Sequence, residues 1–74
     1  MPINYAAVVN ASGNVVLQGT YKRGASYKTN VQQQARSFSL YATKEIYLDD
    51  KLKLVYKNMD QLSIAIVATN NVDL

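Results

Sequence analysis

The sequence predicts an α+β fold, a five-stranded and mainly antiparallel sheet with one helix packed on one face. Three patterns lead there. Leu52, Leu54 and Tyr56 alternate with Lys53, Val55 and Lys57, the period-two pattern of a half-buried strand. Leu62–Ala68 is apolar on both faces: Leu62, Ile64, Ile66 and Ala68 fill one side, Ala65 and Val67 much of the other. Such a strand belongs in the middle of a sheet that is covered on both sides. Tyr27, Val31, Ala35, Phe38 and Ala42 recur at spacings of four, four, three and four, which is one stripe of an amphipathic helix.

Taken in order, Ile3–Val9 reads as a strand with Ile3, Tyr5, Ala7 and Val9 on one face. Asn10–Asn14 is a turn, where Gly13 supplies a positive φ and the asparagines tolerate one. Val15–Tyr21 is the return strand, and Gly19 weakens its far end and suggests a bulge. Lys22–Ser26 is a loop, with the Ser26 hydroxyl placed to cap a helix over Tyr27–Ala42. Ser37 and Ser39 are its weak point, because serine has low helix propensity. Glu45–Leu48 is a short strand, Asp49-Asp50 a turn, and Asn58–Gln61 the turn joining Leu52–Lys57 to Leu62–Ala68. The order is β-β-α-β-β-β, with no repeat, linker or second domain.

At 74 residues the chain is one domain or part of one, with a small core. A domain this size buries about 60% of the surface its unfolded chain exposes, so its stability is marginal. It has no cysteine and no histidine, which excludes disulfides, thiolate metal sites and a histidine base. The net charge is +3, from eight Lys and Arg against five Asp and Glu. The basic residues are dispersed from Lys22 to Lys57, whereas a nucleic-acid surface clusters them with aromatic residues between. Lys53 and Lys57 are expected on a solvated outer face. No apolar run approaches the roughly 20 residues that span a bilayer. The N-terminus lacks the basic, apolar and small-residue regions of a signal peptide.

Catalytic chemistry is sparse. Asp49 and Asp50 are adjacent, and neighbours on an extended chain point apart, so the pair suits a turn better than acid–base cooperation. The three glycines form no phosphate loop. Six tyrosines fit half-buried packing with a wet hydroxyl, and Tyr41 and Tyr47 suit an interface. No enzyme and no cofactor or metal are expected.

The opening, MPINYAAVV…GNVVLQGTY, resembles that of longin domains, above all those of VAMP-type R-SNAREs. The closing stretch, LKLVYKNMDQLSIAIVATNNVDL, is similar to the matching hairpin of delta- and zeta-COP and of the adaptor mu and sigma chains. All of these share the longin (SNARE-like, profilin-like) fold, whose first part has the order β-β-α-β-β-β. In the family two further helices follow the fifth strand. The chain stops at Leu74, where they should begin, so residues 1–74 are expected to be a single longin-type domain, truncated or unusually short, without a SNARE heptad motif or anchor.

The resemblance implies a regulatory protein-interaction domain in vesicle trafficking, cytoplasmic and facing an endomembrane. It implies roles in autoinhibition, sorting and membrane fusion, with a SNARE segment or a coat protein as partner. The corresponding groove positions are Phe38 and Tyr41 on the helix and Ile46, Tyr47 and Leu48 on the third strand. The alternatives are a structural subunit of a vesicle coat or adaptor and a roadblock-type GTPase-regulating scaffold. One consequence comes from the residues themselves. A single helix covers one face of the sheet, so the other face of Leu62–Ala68 is expected to be open and to favour a homo-oligomer or a partner that supplies helices.

Overall fold

The computed structural model describes residues 3–23, 26–37 and 42–69. Five strands form one sheet: β1 (Ile3–Asn10), β2 (Val15–Thr20), β3 (Thr43–Tyr47), β4 (Leu52–Met59) and β5 (Leu62–Thr69). The helix α1 (Tyr27–Gln34) continues as a 3-10 turn, Ala35–Ser37. The sheet order is β2-β1-β5-β4-β3, and every neighbouring pair is antiparallel. The doubly apolar strand therefore lies at the centre, between β1 and β4.

Tight turns set the two hairpins. At the first, the Asn10 side-chain oxygen accepts from the Ser12 and Asn14 amides at 3.0 Å each, and Gly13 takes φ 87°. At the second, Met59 pairs with Leu62 and only Asp60 and Gln61 are left to turn the chain. Asp60 adopts φ 72°, a region aspartate tolerates better than most residues. Asp49 shapes the β3–β4 connection, accepting from Lys51 and Leu52 amides at 2.7 and 2.8 Å.

The core lies between α1 and one face of the sheet. Tyr5, Ala7 and Val9 of β1 meet Leu54 and Tyr56 of β4 and Ala65 and Val67 of β5. Tyr27 and Val31 close it from the helix. The Tyr5 and Tyr27 rings stack at 5.7 Å, and the Tyr5 hydroxyl donates to Gln18 at 2.7 Å. Burial of Tyr5 pushes its phenol above the ordinary value. Asn4 donates to the Tyr27 hydroxyl at 3.2 Å, while its buried side-chain oxygen has no partner among the described residues.

Several expectations are corrected. The predicted helix over Tyr27–Ala42 ends its α-helical part at Gln34, and Ala42 is a bend outside it. Ser26 makes no side-chain cap; it sits in the left-handed region at φ 71°, and its carbonyl accepts from the Asn30 amide. An irregularity between Ile3 and Tyr5 turns Ile3 to the face opposite Tyr5, where it pairs with Ala68. The bulge in the first hairpin falls where Val8 pairs with Leu17 and Val9 with Val15, leaving Val16 extra, rather than at Gly19. The third strand starts at Thr43 and ends at Tyr47, so Leu48 lies just past it. Lys53, expected on a solvated face, is buried, and its ammonium lies 3.4 Å from Glu45.

Candidate functional site

Alternation along β3 separates the predicted site residues. Ile46 pairs with Leu54, so its side chain shares the helix face, where it is half-buried against the core. Leu48 also packs against that core. Tyr47 pairs with Lys53, points to the opposite face, and is 66% exposed. The three therefore do not line one groove. Phe38 and Tyr41 lie outside the described residues. Over β4 the helix-side surface is closed, since Leu54 and Tyr56 are fully buried.

The opposite face is the more open one. The register places Leu17 of β2, Ala6 and Val8 of β1, Ile64 and Leu62 of β5, and Val55 and Met59 of β4 on it. Leu17, Leu62, Ile64 and Met59 are exposed. Tyr21 folds back over Gly19, where a Cβ would come within 2.9 Å of its hydroxyl. Between Tyr21, Leu17 and Ile64 lies a shallow depression of about 240 Å³ floored by Ala6, Val8 and Gly19. Among the described residues no helix lies on this face.

A charged cluster marks the far corner. Glu45, Tyr47 and Lys53 occupy adjacent positions of β3 and β4 on the open face. Tyr47 donates to Glu45, and that bond, with the carboxylate charge, holds the Tyr47 phenol above its ordinary value. Glu45 also faces the Lys53 ammonium. Lys53 and Ala68 are buried at this corner while Tyr47 is exposed, and at the Leu17–Ile64 end the apolar side chains themselves are exposed.

The pattern Leu62–Ala68 pointed to this face. Its extension across β1 and β2 was not legible, because Leu17 and Val8 meet Ile64 only through strand pairing. Chemically, the face exposes apolar surface and has tyrosines at its edges, which suits binding another macromolecule. No group of three or more His, Cys, Asp or Glu is placed to hold a metal among the described residues, nor is any described helix long and apolar enough to cross a membrane. Neither protein-family models nor curated proteins match the chain.

Proposed function

We propose that this chain is a non-catalytic, longin-type protein-interaction domain of a vesicle-trafficking protein. On this reading it acts as the regulatory N-terminal domain of an R-SNARE, on the cytoplasmic side of an endomembrane, in autoinhibition and sorting. The observation that carries the proposal is the open apolar sheet face from Leu17 to Ile64, with Tyr47 at its β3 edge. An amphipathic helix lays its apolar side on such a surface, and exposed aromatic anchors add affinity. The resemblance of MPINYAAVV…GNVVLQGTY to R-SNARE longin domains supplies the trafficking context.

The test is calorimetric titration of the folded chain with a SNARE-motif peptide. Ile64→Lys and Tyr47→Ala are each expected to weaken binding about tenfold, the loss of one good anchor. Phe38→Ala tests the helix side of the family groove in the same assay. Lys28→Ala, on the exposed side of α1, is the unaffected control. Absence of measurable binding overturns the SNARE reading. The likeness of LKLVYKNMDQLSIAIVATNNVDL to coat and adaptor hairpins supports the second reading, a permanent coat subunit. That reading expects the same face to bind a large folded partner and not a free SNARE peptide.

A further inference from the structure

A second concave site lies on the helix side of the sheet, at the end where both hairpin turns meet the end of the helical segment. It encloses about 310 Å³ between Asn10, Gln32, Arg36, Asn58, Asp60 and Gln61. Its walls are polar, unlike the apolar lining of most organic-ligand pockets, so a small and highly polar occupant suits it. The frame is braced. Gly13 of the first turn packs so close to the 3-10 turn after α1 that a Cβ there would lie 3.4 Å from the Ala35 side chain. The Gln32 side chain ties the helix to the start of β2.

Hydrogen bonding decides what the walls present. The Asn10 side-chain oxygen is taken by the Ser12 and Asn14 amides, and the Gln32 side-chain oxygen by the Val15 amide at 3.1 Å. Backbone N–H groups only donate, so both carboxamides are fixed in orientation and turn their NH2 groups to other partners. Arg36 and Asp60, both exposed, line the same cavity. Among the described residues Arg36 and Asp60 are not ion-paired with each other or with a third group.

One cavity is thus lined by two residues of opposite charge and by two carboxamides whose oxygens are already bonded. A simple anion would satisfy Arg36 and meet Asp60 as a like charge. A simple cation would do the reverse. We infer that the cavity formed by Asn10, Gln32, Arg36 and Asp60 binds a small zwitterion of the amino-acid class. Its carboxylate accepts from Arg36 and the two carboxamides, and its ammonium donates to Asp60. The inference is independent of the function of the open sheet face, which lies on the other side of the molecule.

The experiment is a two-dimensional 15N–1H NMR titration of the whole 74-residue chain. The probes are glycine, acetate and methylammonium, each up to about 50 mM, well above millimolar affinities. Glycine is expected to shift the Asn10 and Gln32 side-chain NH2 signals and the Gly13 amide saturably. Acetate and methylammonium, each carrying half of the recognition, are expected to bind at least about tenfold more weakly, the value of one charge-assisted hydrogen bond. Arg36→Gln and Asp60→Asn are each expected to reduce glycine affinity by the same factor. Arg36 is exposed and asparagine tolerates the Asp60 backbone, so both variants keep the fold, which unchanged signals elsewhere verify. Absence of saturable shifts with glycine, equal binding of acetate, or unchanged affinity in either variant overturns the inference.

Discussion

Lys53 and Lys57 alternate in phase along β4, yet only Lys57 is exposed. Lys53 lies across from Tyr47 and Ala68, and its stem is buried while the ammonium reaches Glu45. Removing such a residue loses both stem packing and the charge partner. Lys53→Ala is expected to destabilise the domain by about 2 kcal/mol, measured by urea unfolding. Glu45→Gln is expected to cost less, below about 1 kcal/mol, because Glu45 is 43% exposed and the glutamine side-chain oxygen can still accept from the Lys53 ammonium. Equal losses in the two variants would mean that the ion pair, and not the stem, carries the effect. Tyr5 supplies a pH dependence. Its folded-state phenol titrates above the ordinary 10.0, so folding favours the neutral form. Its contribution is intact below about pH 9 and falls as the pH rises past 10, where the unfolded chain ionises first. Tyr5→Phe is expected to flatten part of that alkaline fall in a melting-temperature series, at the expense of the hydroxyl's bond to Gln18.

The elements hold their register through a few backbone positions. Ser26 precedes α1 in the left-handed region without a side-chain cap, a conformation that glycine adopts without strain. Ser26→Gly is therefore expected to stabilise the fold by about 0.5 kcal/mol, and Ser26→Ala to cost less than the ~1 kcal/mol of an ordinary cap loss. Thermal unfolding of the two variants checks this, and a large loss in Ser26→Ala would restore the capping role that the sequence suggested. Gly13 is the opposite case. At φ 87° any side chain is strained, so Gly13→Ala is expected to cost at least about 1 kcal/mol. The same substitution presses a methyl toward Ala35 and should disturb the polar cavity together with the turn.

At the scale of the molecule the sheet has one closed face and one largely open face. Val16, Leu17, Tyr21, Met59, Leu62 and Ile64 are all exposed, a large share for a chain of 74 residues. Burying about 400 Å² of apolar surface contributes on the order of 10 kcal/mol before association costs. On the proposed reading, the chain without its partner self-associates through this face at micromolar concentration. Sedimentation is expected to show a concentration-dependent mass, and Leu17→Lys with Ile64→Lys to shift it to monomer without loss of secondary structure. A wild-type chain that stays monomeric and binds no apolar dye would sink this expectation.

The sequence by itself determined the order of the elements and the central strand. Period-two and helical periodicities survive in any tertiary context that has one inside and one outside, and Leu62–Ala68 has no polar face to leave in water. It also placed the first turn and the Asp49 turn, whose chemistry is local. Only the tertiary structure decided the rest. The irregularities at Asn4 and Val16 shift which side chains share a face, and they arise from pairing with β5 and β1. Lys53 is buried while Lys57, flanked by the same two strands, is exposed, a difference that no pattern along β4 records. Likewise Asn10 of β1, Gln32 of α1, Arg36 of the 3-10 turn and Asp60 of the β4–β5 turn come together only when the β1–β2 and β4–β5 turns reach the same end of the sheet. Local periodicity reports the environment of one strand or helix, whereas a site is made of distances between them.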